Sequence, residues 1–281
     1  MRAAIILLAA AVLFAPVAQA QRKAQDGPCG QVESIPGGEA GGFRVAIAEP
    51  AIAPKVALIL LPGGGGFVDL NENGCPRQLG GNSLIRSIPA FLAGGAVTAL
   101  MDAPASYQSR EGLAGYRIDP GHARDIGALI QRLRQAYRLP VWVVGTSRGA
   151  ISAANAASVL KGADAPDGVV LTSPVTVGSK GNMAWVIQSG FDLPLKQIAM
   201  PLLVVGHAGD GCLRSPPSNL DRLAAASSSA RRQVVTVSGG PGSRQPAGSL
   251  EACEGREPHG FIDQEAEVAA GILRFVLGGS Y

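Results

Sequence analysis

The sequence predicts an α/β protein built on a mostly parallel central sheet with helices on both faces. Three observations carry that expectation. Five short runs are apolar without alternation: Val56–Leu61, Ala96–Leu100, Val141–Val144, Val169–Leu171 and Leu202–Val205. Strands covered on both faces, as in a parallel sheet, read this way. Stretches of helical periodicity lie between the runs, and alternation of the two is the mark of crossover βαβ units. Glycine supplies 38 of the 281 residues, nearly twice its usual ~7% share. It shows no triplet period, so it marks tight turns and close backbone approaches rather than a collagen-like chain.

Taken from the start of the chain, Met1 to Ala20 reads as a secretory signal. Arg2 supplies the basic start, Ala3 to Ala15 an apolar run, and Ala18-Gln19-Ala20 a small-residue cleavage site. The apolar run is shorter than the ~20 residues that span a bilayer, and no cysteine follows the cleavage site to take a lipid. A periplasmic or secreted protein without a stable membrane anchor is expected. Residues 21–42 are polar and rich in Gly and Pro, and read as an extended lead-in. Residues 43–281 read as a single domain, with no internal repeat and no linker.

Within that domain Phe43–Ala48 alternates and predicts a short strand, and Val234–Val237 predicts another. Helices are expected over Asn82–Leu92, Gly121–Tyr137, Ala150–Leu160 and Gln264–Leu277, each with apolar residues gathered on one face. The longest low-complexity stretch, Ser238 to Glu257, predicts a loop of the length usually found to be functional or mobile. A hydrophobic share of 47% excludes a disordered chain. A net charge of +3, evenly spread, argues against a nucleic-acid partner.

Export places the four cysteines, Cys29, Cys75, Cys212 and Cys253, where disulfides persist. Three pairings are open if both bridges form. No two cysteines share a C-x-x-C spacing, and only His207 and His259 lie near any of them, so a structural zinc site is a poor reading. No cofactor or metal is expected.

One motif carries chemistry. Val141-Trp142-Val143-Val144 leads into Gly145-Thr146-Ser147-Arg148-Gly149, and a small-residue helical stretch begins at Ala150. This is G-x-S-x-G between a strand and a helix, the setting that lifts a serine hydroxyl above a sheet edge. Glycine on either side removes side chains that would collide in so sharp a turn, and the following helix start favours negative charge. The glycines of Pro62–Gly66 have a rival reading as a nucleotide-binding turn. It fails on spacing, because G-x-G-x-x-G needs glycine at Val68 or Asp69, and no Gly-Lys-Ser/Thr follows.

In these residues the chain resembles the α/β-hydrolase family, of the exported, esterase-like or dienelactone-hydrolase-like minimal kind, over nearly the whole predicted mature chain. The elbow follows the third of the five apolar runs, as the family's strand order implies, and Pro62–Gly66 stands in the place of its oxyanion loop. The family's triad runs serine, acid, histidine. Of the three histidines, His122 and His207 do not follow a plausible acid located after Ser147; His259, just before the last helix, does. The resemblance makes Asp210, in the Gly-flanked loop after Leu202–Val205, the acid, with Asp192 as runner-up; Asp221 and Asp263 read as helical and solvated. The amide of Arg148 and an amide from Gly64 or Gly65 are the implied oxyanion donors, although Pro62 replaces the family's usual histidine before the glycines. If Asp210 meets His259, their loops are neighbours, and the implied disulfides are Cys212–Cys253 and Cys29–Cys75. Residues 174–199 fall where the family inserts a lid, here short. Met183, Trp185, Val186, Ile187 and Phe191 line an acyl pocket or pack in the core, and both readings stand open. Asp102, Tyr107 and His207 lie on the expected active-site edge, the last more as polar filling.

The function so implied is that of an exported serine hydrolase cleaving small-molecule carboxylic esters. An amidase or peptidase and an acyltransferase use the same triad and remain alternatives, as does a non-catalytic binding protein with an inherited fold. Serine rather than aspartate at the elbow disfavours a dehalogenase.

Overall fold

A computed structural model describes residues 29–109, 111–178 and 188–281. The five apolar runs become strands buried along their length: β3 (Val56–Leu61), β4 (Ala96–Met101), β5 (Val141–Thr146), β6 (Gly168–Thr172) and β7 (Leu202–His207). β2 (Phe43–Ala48) and β8 (Arg232–Val237) form as expected. The expected lead-in also contains a strand, β1 (Gln31–Ile35), which pairs antiparallel with β2 from Gln31↔Ile47 to Ile35↔Phe43. Its exposed side chains gave no buried-strand pattern to read.

Among the described residues the strands form one eight-stranded sheet in the order β1-β2-β4-β3-β5-β6-β7-β8. The β1–β2 and β2–β4 pairs are antiparallel and the rest are parallel. Parallel neighbours need crossover connections, and these put helices on both faces. On one face α2 (Pro120–Tyr137), α3 (Arg148–Val159) and α4 (Leu220–Ala225) bury Ile126, Leu129, Ile130, Ile151 and Leu223. On the other, α1 (Ser83–Ala93) and α5 (Glu265–Val276) bury Leu84, Phe91, Val268, Ile272 and Phe275.

Local chemistry sets the helix ends. The Asn82 side chain accepts from the Leu84 amide at the start of α1, and Asp119 accepts from Gly121 with Pro120 in the first turn of α2. α3 begins two residues earlier than its apolar pattern suggests, so Ser147 is its N-cap. Asp221 is helical and exposed, but Asp263 lies in a turn before α5 with φ 59°. Glu265 and Glu267, not Asp263, supply the acidic first turn of that helix. The result places the carboxyl ends of β3, β5 and β7 and the loop before α5 along one edge.

Candidate active site

The turn from β5 into α3 holds Ser147 at φ 53° and ψ −123°, a conformation that costs an L-residue on the order of 1–3 kcal/mol. The surroundings impose it. The Ser147 amide donates to the Thr172 carbonyl of β6 at 2.9 Å, and its carbonyl accepts from Ala150 at 3.1 Å. A Cβ at Gly145 would lie 2.2 Å from the Gly149 carbonyl oxygen, and one at Gly149 would lie 1.9 Å from that of Leu61. Only glycine permits either approach, which is the physical content of the motif.

The loop after β3 passes beside this turn. The Gly66 amide closes onto the Gly63 carbonyl at 3.1 Å, and Leu113 donates to the Gly65 carbonyl at 2.8 Å. Among the described residues the amides of Gly64 and Gly65 donate to no protein acceptor. The loop's carbonyls are held from behind by Arg117, which is 1% exposed. Its guanidinium donates to the Pro62 carbonyl at 3.1 Å, the Gly64 carbonyl at 3.2 Å and Ser152 Oγ at 2.8 Å. Burial, and after it the charge of Arg148, pull this guanidinium well below its ordinary range. Asp102 fixes the loop's far end, its carboxylate accepting from Val68 and Ala103 at 2.8 Å and from Leu70 at 3.0 Å. Asp102 is therefore a structural anchor. Tyr107 stacks on Tyr116 with ring centroids 4.5 Å apart.

Beyond β7, Asp210 closes a turn onto the His207 carbonyl at 3.0 Å. One carboxylate oxygen accepts from the Cys212 amide at 2.9 Å and the other meets His259 Nδ1 at 2.9 Å. Both side chains are buried, 1% and 3% exposed respectively. His259 Nε2 is buried as well and bonds to no group among the described residues. Ser147 and His259 line one cavity of about 410 Å³, although no hydrogen bond joins them. His207 fills polar space: its Nδ1 accepts from Gly209 at 2.9 Å, and Nε2 faces the Gly239 carbonyl and Gln264 Oε1 at 3.1 and 3.0 Å. Asp192 is committed elsewhere, accepting from the Ser189 amide and hydroxyl at 2.7 and 3.2 Å.

Two devices hold the His259 loop. Disulfides join Cys212 to Cys253 and Cys29 to Cys75, the first tying the Asp210 loop to the stretch before His259. Arg86 of α1 donates to the carbonyls of Gly81, Gly255 and Gly260 and pairs with Glu265. The Ser238–Glu257 stretch is ordered, with Glu257 accepting from Ser243 Oγ and the Arg244 amide at 2.9 Å. Ligand-type atoms of Asp210, Cys212 and His259 lie within 4.8 Å of one another, but the sulfur is in a disulfide and offers no thiolate to a metal.

A second cavity of about 680 Å³ also opens onto Ser147, lined among others by Gly64, Arg148, Arg214, Val175 and Leu250. Burial, and then the nearby charge of Arg214, push the Arg148 guanidinium down to about 10. Of the lid candidates, Met183, Trp185, Val186 and Ile187 lie outside the described residues. Phe191 packs against the core beneath the Arg222 guanidinium, 4.2 Å from its ring centroid, so the packing reading holds for it.

The structure thus brings together Ser147, Asp210, His259, Gly64 and the start of α3, while Gly65 follows in the loop but lines neither cavity. Arg117, Arg86 and Arg214 were not singled out by the sequence. Nothing local distinguishes them from the chain's other arginines.

No protein-family model matches the chain, and no curated protein matches it in sequence. Solved structures do resemble it. A serine hydrolase homologue from Coxiella burnetii superposes with a TM-score of 0.58 at 18% identity, over 88% of this chain and 97% of that one. A dienelactone hydrolase from Anabaena variabilis gives 0.56 at 14%, over 89% and 97%. Esterase 2 of Thermogutta terrifontis gives 0.59 at 17%, over 92% and 98%. The likeness is one of architecture: this chain has the α/β-hydrolase fold.

Proposed function

We propose that this α/β-hydrolase-fold chain is an exported serine hydrolase that cleaves carboxylic esters through an acyl-enzyme. The observation that carries the reading is the buried His259–Asp210 pair, with its outward Nε2 unpartnered in the cavity that Ser147 also lines. The paired carboxylate holds the proton on Nδ1, which leaves Nε2 as the basic nitrogen that takes the serine proton. Ser147 Oγ then attacks the ester carbonyl, and the negative charge that develops on the carbonyl oxygen is met by amides at the start of α3 and in the Gly64–Gly65 turn. Nε2 returns the proton to the leaving alkoxide, and water releases the acyl group by the same route. Asp210 does not lose its charge in this cycle; it orients the imidazole and stabilises the imidazolium.

Export is supported by the signal-like Met1–Ala20 and by the two disulfides, which persist in oxidising compartments. The test is labelling of the mature protein by a fluorophosphonate, beside a Ser147→Ala control. Stoichiometric labelling of the first and none of the second is expected. Equal labelling of both, or of neither, removes the enzyme reading.

A further inference from the structure

In the proposed cycle the leaving alkoxide collects its proton from His259 Nε2. The alcohol therefore departs through the cavity of about 410 Å³ that Ser147 and His259 line together, since among the described residues the larger cavity carries no histidine. Most of this alcohol side is polar, lined by glycines, the charged Glu254 and Arg256, and the buried Ser83 and Thr146, whose hydroxyls lie 3.3 Å apart. Leu79 is the one large apolar side chain among its described lining residues. It sits in the left-handed region, at φ 56°, which glycine adopts freely and any residue with a Cβ resists. Neighbouring bonds hold it there. Its carbonyl accepts from the Asn82 amide at 2.8 Å, and the Gln78 amide before it donates to the Val68 carbonyl at 3.0 Å. Glycine would make the same turn without strain, so what leucine adds is its side chain. That side chain packs on the apolar cluster that includes Leu84 and Phe91 of α1. It also reaches the turn beside Ser147, where a Cβ at Gly64 would lie 3.1 Å from Leu79 Cδ2. Backbone strain of this kind gathers where a side chain serves a site.

We infer that Leu79 determines which alcohol the site releases, favouring esters of purely aliphatic alcohols, whose methylenes lie against it, over those whose chain carries an oxygen. This rests on Ser147 being the nucleophile. In the reaction the Oγ–carbonyl carbon bond forms as the hydroxyl proton passes to His259 Nε2. The carbon–oxygen bond to the alcohol then breaks, and that proton returns to the alcohol oxygen while the alcohol chain rests on the Leu79 isobutyl group. Leu79 takes no part in bond exchange.

The experiment compares butyl acetate with methoxyethyl acetate, by acetate release. Their alcohol chains match in length and differ by a methylene replaced with oxygen. Both esters give the same acetyl-enzyme, so the ratio of their kcat/KM values reads only the steps in which the alcohol is present. Leu79→Asn keeps the size of the side chain and tolerates the left-handed backbone. It is expected to lower the butyl-to-methoxyethyl ratio about fivefold, equivalent to ~1 kcal/mol. Leu79→Met, which keeps an apolar wall, is expected to retain the wild-type ratio. Intrinsic reactivity of the two esters is common to all variants, and each ratio is taken on one sample, so partial unfolding cancels. A ratio that Leu79→Asn leaves within about twofold of wild type, or that Leu79→Met lowers equally, overturns the inference and leaves the serine-hydrolase reading standing. If neither ester turns over, slowing of fluorophosphonate labelling by butanol and by methoxyethanol decides instead. Stronger slowing by butanol that Leu79→Asn abolishes supports the inference. Equal slowing by the two alcohols, or a preference that Leu79→Asn keeps, overturns it. Labelling that survives Ser147→Ala removes both readings together.

Discussion

Arg117→Met tests whether a buried arginine sets the oxyanion geometry from behind. The wild-type side chain makes three hydrogen bonds, two of them to carbonyls of the Pro62–Gly64 segment. Bonds from a charged donor contribute roughly 1.5–3 kcal/mol each, but burying the cation costs several kcal/mol in return. Methionine removes both contributions and nearly preserves the volume, so folding stability should move by no more than ~2 kcal/mol. Catalysis has no such offset. On the proposed serine-hydrolase reading, releasing Pro62 and Gly64 turns the loop amides away from the developing oxyanion, and losing one such donor costs ~2.7–4 kcal/mol, or ~10²–10³ in kcat. The assay is steady-state ester hydrolysis together with urea unfolding. The expected result is a kcat loss in that range with KM nearly unchanged, because the interaction is made in the transition state. Arg117→Lys, which keeps the charge but not the fork, should fall between. A folded Arg117→Met enzyme with kcat within about threefold of wild type refutes the reasoning.

The other predictions concern the disulfides and acid stability. The two bridges close chain segments of 41 and 46 residues, so removing either should cost a similar ~4 kcal/mol of stability on the loop-entropy account. On the proposed reading, only the Cys212→Ala/Cys253→Ala pair should also lower kcat at a temperature where both variants are folded, because it alone joins the Asp210 and His259 loops; equal activities would contradict this. His122 is buried with neither ring nitrogen bonded among the described residues, and burial, then Arg117, pushes it down to about 3. An unfolded histidine titrates near ~6.5, so between those values the unfolded chain holds a proton that the folded chain does not. Stability contributed by the neutral ring is therefore complete above that range and lost as pH falls, by roughly 1.6 kcal/mol between pH 6.5 and 5. Urea unfolding of His122→Gln should show a correspondingly shallower acid slope, and an unchanged slope would exclude His122 as its source.

By itself the chain determined the strands β2 to β8, the four longer helices, the serine elbow and its Gly145 and Gly149, because each rests on local periodicity or on sterics within a few residues. His259 and Asp210 were singled out only through the resemblance to the α/β-hydrolase family, whose serine, acid, histidine order they fit. Tertiary structure decided what depends on pairing between distant segments. β1 is a strand because β2 offers it an edge, not because its own residues demand one. Asp102 became a loop anchor and Asp192 a turn acceptor only where particular amides reached them. The arginines separate the two levels most clearly. Arg86, Arg117 and Arg214 look like any surface cation in sequence, since a guanidinium's solvation is a property of what folds around it. The sheet order and the glycine-rich loops, by burying Arg117 and Arg214 and bringing backbone carbonyls to all three guanidinium groups, turned ordinary charges into the supports and the wall of the candidate site.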